Sequence, residues 1–189
     1  MIKDMRIGIF GGSFNPIHNG HIELGKQLCR MAGLDQLWYL VSPQNPFKTE
    51  ADDLAPEEVR YEYVCRALKP YSQLVASDFE FSQPRPSYMV STLERLRSTY
   101  PEHEFLLVIG ADNWLAFDRW YRHEEILAHH RVLVYPRRGY DVDESTMPEG
   151  VRLVPTPLYD ISSTEIRRRI ACGESIEGLV PDEVKDFRF

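Results

Sequence analysis

Short apolar runs alternate with amphipathic segments along the whole chain. Residues 5–10, 37–41 and 104–110 are apolar runs followed by turn residues, the pattern typical of buried strands. Shorter or less regular runs predict three further strands, over residues 73–81, 131–135 and 151–154.

Between these runs, apolar positions recur at helical spacing. The first such segment starts near Ile22, and Gly33 is placed to end it. Pro56, followed by two glutamates, is typical of a first helical turn, and that helix ends near Pro70. The other predicted helices cover residues 87–100, 111–120, 123–130, 163–172 and 181–187, and residues 141–150 form a polar loop.

The alternation of strand and helix indicates an α/β fold. We expect a Rossmann-like parallel sheet with helices on both faces, in a single domain over residues 1–189. Ligands of such sheets bind beyond the carboxyl ends of the strands. The segments predicted to lie there are residues 11–21, 42–48, 110–112 and 156–164.

Composition narrows the possible functions. The chain of 189 residues is 43% hydrophobic and carries a net charge of −7, from 22 basic and 29 acidic side chains. That balance argues against non-specific nucleic-acid binding, so any anion site must be local. Three scattered cysteines argue against a disulfide framework or a zinc site. With no apolar run long enough for a membrane span, we expect a cytoplasmic protein, as a monomer or a homo-oligomer.

The first chemistry-bearing stretch directly follows the first strand. Gly11 and Gly12 allow backbone N–H groups to approach an anion closely, and the helix that follows adds a positive dipole end. His18 and His21 are three residues apart at the start of that helix, so both side chains can face one point. A metal site would need further ligands that are not found nearby. We therefore predict a phosphate-binding turn rather than a metal centre.

A second anion-binding helix start is predicted near residue 162. Ser162 and Glu165 fit a capping box, and Arg167 lies one turn further on, where it can bind phosphate oxygens. Two anion sites at the same sheet edge suggest a polyphosphate between them. Asp112, just after a buried strand, is suited to a ribose hydroxyl or to a helix N-cap, and Trp120 is suited to core packing.

Several motifs together resemble one enzyme family. The stretch GGSFNPIHNGH resembles the GxFxPxHxGH signature of the nucleotidyltransferase superfamily, and ISSTEIR resembles its ISSTxIR signature. RPSYMVSTL and IGADNWLAFDRWYRHEEIL are similar to two further segments of the bacterial nicotinate-nucleotide adenylyltransferases. The resemblance covers nearly the whole chain.

The resemblance implies adenylyl transfer from ATP to nicotinate mononucleotide, giving deamido-NAD and pyrophosphate in NAD biosynthesis. Mg²⁺ would be carried by the ATP phosphates, with no dedicated protein site. The catalytic residues would be His18 and His21, which contact the phosphates. ATP would be bound by these two and by Gly11, Gly12, Ser13, Phe14, Gly110, Asp112, Ile161, Ser162, Ser163 and Arg167. The pyridine nucleotide would be bound by Lys48, Ser87, Tyr88, Thr92, Trp120 and Tyr121.

Two departures from the family pattern concern the pyridine side. Residues 45–48 read NPFK where the family has PPHK, and Met89 stands where the family has threonine. The alternatives that stay open are a nicotinamide-mononucleotide-preferring enzyme, a pantetheine-phosphate adenylyltransferase and a nucleotide-binding module without turnover. The pantetheine family has threonine at the position of His18, which argues against it.

Overall fold

The computed structural model describes residues 4–43 and 54–188. Six strands are present there: β1 Arg6–Gly12, β2 Gln36–Val41, β3 Leu74–Ser77, β4 Glu104–Gly110, β5 Arg131–Tyr135 and β6 Val151–Leu153. The helices are α1 Asn19–Ala32, α2 Glu57–Leu68, α3 Met89–Thr99, α4 Ala111–Leu115, α5 His123–His129 and α6 Ser163–Ala171.

All six strands pair in parallel in the order β3-β2-β1-β4-β5-β6. The chain moves outward from β1 to β3, returns to the centre at β4 and then moves the other way. The order therefore reverses between β1 and β4, and a ligand crevice forms where the loops of two neighbouring strands diverge in this way. The Rossmann-like architecture predicted from the sequence is confirmed.

Each face of the sheet buries its own apolar cluster. Alternate residues of a strand point to opposite faces, so Leu106 and Val108 join one cluster while Phe105, Leu107 and Ile109 join the other. The first cluster contains apolar residues of α1, α2 and α6, and the second contains those of α3, α4 and α5. Helices thus cover both faces, as expected.

Three predicted elements differ in detail. The helix expected over residues 181–187 is only a 3-10 turn, Asp182–Val184. Residues 111–120 divide into α4 and a 3-10 turn at Phe117–Arg119, and β3 ends at Ser77 before another 3-10 turn. In each case isolated apolar side chains, such as Val184, Phe117 and Phe79, pack against the core in a segment that forms only a 3-10 turn. Short helices depend on such tertiary packing.

The first helix is fixed closely against the sheet. A Cβ at Gly25 would lie 2.0 Å from the Tyr39 hydroxyl, so only glycine lets that ring approach the helix. The hydroxyl donates a 2.8 Å hydrogen bond to the carbonyl of His21. Gly33 ends the helix in the left-handed region, at φ 64°, as the sequence predicted. The start of α1 is consequently held rigidly at the carboxyl edge of β1.

No helix within residues 4–43 and 54–188 is long and apolar enough to cross a membrane.

Candidate active site

Two cavities open at the carboxyl edge of the sheet and share Tyr135. We call the first, of about 460 Å³, the aromatic cavity; its lining includes Glu80, Ser87, Tyr88, Trp120 and Tyr121. We call the second, of about 440 Å³, the histidine cavity; its lining includes His18, His21, Arg137, Ile161 and Ser162. Two ligands bound in these cavities would meet beside Tyr135, the last residue of β5.

The two histidines cap the helix that carries them. The Nδ1 atom of His18 accepts the N–H of His21 at 3.3 Å, and Nδ1 of His21 accepts the N–H of His18 at 3.2 Å. The rings stack with centroids 3.6 Å apart. Because both Nδ1 atoms accept, the proton of each neutral ring is on Nε2. The pair therefore has two N–H donors left for a ligand.

The surroundings keep both rings neutral. Burial, reinforced by the positive charge of Arg137, lowers the pKa of His18 to about 3. Burial also lowers the pKa of His21 well below its ordinary value, with smaller effects from His18 and Arg137. At pH 7 a neutral imidazole still has one N–H group, from which it can donate a hydrogen bond. The pair is thus arranged as hydrogen-bond donors.

Arg137 lies on the wall of the histidine cavity, just after β5. Its Nε atom is 3.5 Å from Oδ1 of Asp112, beyond the range of a strong hydrogen bond. A Cβ at Gly110 would lie 2.5 Å from the same oxygen and 2.9 Å from Cγ of Arg137. Glycine at position 110 therefore allows this pair to pack against β4. Gly110 itself lines the aromatic cavity.

Helix α6 begins at the histidine cavity. The Ser162 hydroxyl accepts the N–H of Glu165 at 3.2 Å, which gives half of the predicted capping box. The Glu165 carboxylate instead bonds Arg168 and Arg169. Arg169, a residue without a predicted role, also lines the cavity.

Two predicted phosphate ligands hold the loop after β1. Arg167 donates from Nη1 to the carbonyl of Asn15 at 2.8 Å, and the Ser163 hydroxyl donates to the carbonyl of Pro16 at 2.9 Å. The structure thus brings α6 against the glycine-rich turn through both residues.

The remaining residues of that turn lie at different depths. Gly11 and Gly12 line the aromatic cavity rather than the histidine cavity. Phe14 is buried, with its ring 5.2 Å from the His21 ring, and so supports the histidine from beneath. A Cβ at Gly12 would lie 2.9 Å from the Phe14 ring, so the glycine allows Phe14 to pack there. Ser13 contributes its carbonyl to a separate contact.

That contact belongs to Arg60, which is 1% exposed and had no sequence signal. Its guanidinium donates to the carbonyls of Ser13 at 2.7 Å, Ser42 at 2.9 Å, Pro43 at 3.2 Å and Ala55 at 2.8 Å. It thereby joins the loops that follow β1 and β2. The sequence does not distinguish it, because a buried arginine and a surface arginine look alike there.

Aromatic side chains form one side of the aromatic cavity. Trp120 is half-buried, packs against Phe117 with centroids 5.2 Å apart, and still presents a face to the cavity. The rings of Tyr88 and Tyr121 lie 4.7 Å apart at the rim. Met89 also lines the cavity, and a Cβ at Gly11 would lie 3.1 Å from its Cε atom. The departure at position 89 thus places an apolar group on the cavity wall.

The wall of this cavity also contains a buried carboxylate that no motif in the sequence had indicated. Glu80 is 5% exposed and accepts the Thr92 hydroxyl at 2.8 Å and the Ser87 hydroxyl at 3.2 Å. Burial raises the pKa of Glu80, while its hydroxyl bonds act in the opposite direction. Thr92 is fully buried behind Glu80, whereas Ser87 lines the cavity. Lys48 lies outside the described residues, as do the other residues of the stretch 45–48.

Comparisons with known proteins agree with this geometry. The Cytidylyltransferase-like family model matches residues 9–169. A Bacteroides fragilis protein named "Probable nicotinate-nucleotide adenylyltransferase" is 50% identical over 90% of this chain and 85% of its own length. One of the same name from Cytophaga hutchinsonii is 46% identical over 97% of this chain and 95% of its own length.

A solved structure shares the fold. The Plasmodium falciparum nicotinic acid mononucleotide adenylyltransferase complexed with NaAD superposes with a TM-score of 0.81, at 19% identity, over 96% of this chain and 93% of its own. Its sequence identity is low, so it supports the architecture alone. On the family model and the curated relatives, the chain belongs to the nicotinate-nucleotide adenylyltransferases of the Cytidylyltransferase-like family.

Proposed function

We propose that the protein transfers the adenylyl group of ATP to nicotinate mononucleotide, giving deamido-NAD and pyrophosphate. The observation that carries this proposal is the meeting of two cavities at Tyr135, one with a stacked pair of histidine donors and one with aromatic walls. The names of the relatives supply the choice of a pyridine acceptor.

The histidine cavity is the proposed ATP site. The Nε2–H groups of His18 and His21 would donate to oxygens of the α-phosphate. Arg137 adds positive charge on the same wall. Ser162 and Ile161, at the start of α6, lie where the outer phosphates would be held by a helix N-terminus. Ser163 and Arg167 would set the position of the glycine-rich turn against that helix.

The chemistry needs little from the protein beyond position and charge. An oxygen of the acceptor's phosphate attacks the α-phosphorus of ATP, a new P–O–P bond forms, and the bond to pyrophosphate breaks. A phosphate monoester is already anionic at neutral pH, so no general base is required. Hydrogen-bond donors that are already positioned where charge develops in the transition state lower the barrier, because they do not have to reorganise. Two neutral, buried, mutually capped histidines suit that task.

Mg²⁺ is the proposed metal, bound through the ATP phosphates. Within residues 4–43 and 54–188, no group of three or more His, Cys, Asp or Glu side chains is arranged to hold a metal ion. An ion bound in the proposed way keeps phosphate oxygens and water as its main ligands. When bound, the ion would neutralise phosphate charge and help pyrophosphate to leave.

The aromatic cavity is the proposed acceptor site. Trp120 offers a flat surface for the pyridine ring, and Tyr88 and Tyr121 close the rim. Ser87 lies on the wall, and Thr92 acts one layer behind it through Glu80. Gly11, Gly12 and Gly110 allow the two nucleotides to approach the ends of β1 and β4 closely.

We further propose one nucleotidyltransferase domain over residues 1–189 and a cytoplasmic location. A single sheet with a core on each face supports the first. Free cysteines at positions 29, 65 and 172 suit a reducing compartment, and the net charge of −7 argues against nucleic acid as a partner.

A panel of acceptors tests the proposed function. The protein is mixed with ATP, Mg²⁺ and one of four acceptors: nicotinate mononucleotide, nicotinamide mononucleotide, phosphopantetheine or glycerol phosphate. Pyrophosphate release is followed, and the product is identified by mass. We expect the dinucleotide of the nicotinate acceptor to form fastest. Turnover with phosphopantetheine alone would replace this function with the pantetheine one, and no turnover with any acceptor would favour a binding module.

A further inference from the structure

Glu80 poses a problem for a cavity that is to receive a carboxylate ligand. Its side chain is 5% exposed and lies on the same wall as Ser87 and Ser42. Among the described residues that line this cavity it is the one acidic side chain, and Arg119 and three tyrosines are the other ionisable ones. A carboxylate acceptor would therefore meet a second carboxylate in the wall.

The hydrogen bonds of Glu80 determine what the wall offers to a ligand. Thr92 donates to Oε1 and Ser87 donates to Oε2, and the Ser42 hydroxyl is a third partner. Each hydroxyl has a single proton. When Glu80 is ionised, these protons point at Glu80, and Ser42 and Ser87 present only lone pairs to the cavity. Lone pairs bind an amide NH₂ and repel a carboxylate.

A neutral Glu80 reverses that arrangement. A protonated carboxyl donates one hydrogen bond itself, so one of the serine hydroxyls is free to turn its proton toward the ligand. Burial favours this neutral form by raising the pKa of Glu80. The wall then offers a donor to a carboxylate oxygen and carries no opposing charge. The same two serines can thus select for either acceptor.

We propose that Glu80 is a positioning residue that limits the preference for nicotinate over nicotinamide mononucleotide, by orienting the hydroxyls of Ser87 and Ser42. This inference rests on the proposed function and names a group that limits its selectivity for the acceptor. Glu80 acts through the serines and takes no part in the transfer of the adenylyl group.

Glu80→Gln is the decisive variant because it fixes the neutral state. Gln83 donates from Nε2 to the Thr92 hydroxyl at 3.2 Å, and the shortest bond of that hydroxyl is the one it donates to Glu80. The new amide is therefore expected to turn its oxygen to Thr92 and its NH₂ to Ser87. The Ser87 proton is then available to the ligand at every pH.

The measurement is the ratio of kcat/KM for the nicotinate acceptor to kcat/KM for the nicotinamide acceptor. We expect Glu80→Gln to raise the ratio about tenfold at pH 7.5, chiefly through KM, because one mismatched buried hydrogen bond is replaced by a matched one. Asp78→Asn removes the same charge from an exposed residue two positions away and should leave the ratio unchanged. In a Ser87→Ala background the rise should shrink to less than about threefold.

A second measurement uses the unaltered protein. Its acceptor ratio should rise as the pH is lowered from 7.5 to 5.0, because burial raises the pKa of Glu80 and so favours its neutral form as the pH falls; the acceptor phosphate ionises alike in both substrates, so its effect cancels. An acceptor ratio of Glu80→Gln within twofold of the wild-type ratio would overturn this inference alone. If that variant does not fold, a wild-type acceptor ratio that does not change with pH would overturn it. Failure of the unaltered protein to use either pyridine acceptor overturns the proposed function and this inference with it.

Discussion

The two cavities share an edge of the sheet but are built on different principles. The histidine cavity takes its donors from a helix start, where His18 and His21 satisfy each other's backbone N–H groups. The aromatic cavity takes its shape from rings and from a buried carboxylate that belongs to no regular helix. We propose that the histidine cavity is preorganised for charge that develops in the reaction, and the aromatic cavity for recognition of a flat ring. Substitutions in the histidine cavity should reduce turnover, and substitutions in the aromatic cavity should weaken binding of the acceptor.

The largest expected effect is that of His18→Asn. Asparagine is a good N-cap, so the start of α1 should persist while the Nε2 donor is lost. Loss of one preorganised donor to a developing charge costs roughly 3 kcal/mol, so kcat should fall about a hundredfold or more. Steady-state kinetics with varied ATP should show KM for ATP changed far less than kcat. His129→Asn, at an exposed position on α5, is the control. A kcat within threefold of wild type would assign His18 to capping alone.

The next largest effect is expected for Arg60→Lys, which tests whether Arg60 holds the loops after β1 and β2 together. A lysine has one nitrogen and cannot reach carbonyls on two loops, so at least one buried carbonyl would lose its donor. The free energy of unfolding should fall by roughly 2–3 kcal/mol, measured by urea denaturation. Arg66→Lys lies on the exposed face of the same helix and should change that energy by less than about 0.5 kcal/mol. Equal losses of unfolding free energy in the two variants would contradict the view that Arg60 holds the two loops together.

The Trp120→Leu variant should distinguish the roles of the two cavities most directly. Removing a ring platform is expected to raise KM for the pyridine acceptor about tenfold and to leave KM for ATP nearly unchanged. Trp114→Leu provides a matched control, because Trp114 also packs on Phe117, with centroids 5.4 Å apart, but is not part of the cavity wall. A rise in KM for ATP as large as that for the acceptor would show that Trp120 serves both ligands.

The fold and one cavity were largely predictable from the sequence, for a physical reason. Buried strands such as β4 are continuous apolar runs, and glycines followed by a helix start mark the turn after β1. The histidine pair is local, since its partners are three residues apart. What could not be predicted depends on distant contacts: Arg60 bonds carbonyls 18 and 47 residues away, and Glu80 meets Thr92 across 12 residues. Arg137 was likewise missed because its partner Asp112 lies in α4, which follows a different strand.

Arg167 shows a second limit. Its place one turn into α6 was predicted to put it on a phosphate, whereas one of its nitrogens bonds the carbonyl of Asn15. Helical spacing gives the turn on which a side chain lies, but not which of several neighbours it binds. A role on phosphate therefore stays a prediction for this residue, alongside its observed contact with the glycine-rich turn.

The smallest effect is a pH dependence of stability that distinguishes the histidine cavity from the rest of the molecule. The pKa of His18 is lowered from 6.5 to about 3 in the folded protein, chiefly by burial. Between these two pH values His18 is therefore protonated in the unfolded chain and neutral in the folded one. The stability that neutral His18 contributes is complete above pH 6.5 and is lost progressively as the pH falls from there toward 3. Between pH 7 and pH 5.5, the wild-type free energy of unfolding should fall by about 1.3 kcal/mol more than that of His18→Asn. Removing His18 also relieves His21, whose pKa it helps to lower, which enlarges the difference in the same direction. Urea denaturation of both proteins at the two pH values measures it, and parallel losses would show that His18 titrates normally and that its ring is more open to water than the cap geometry implies.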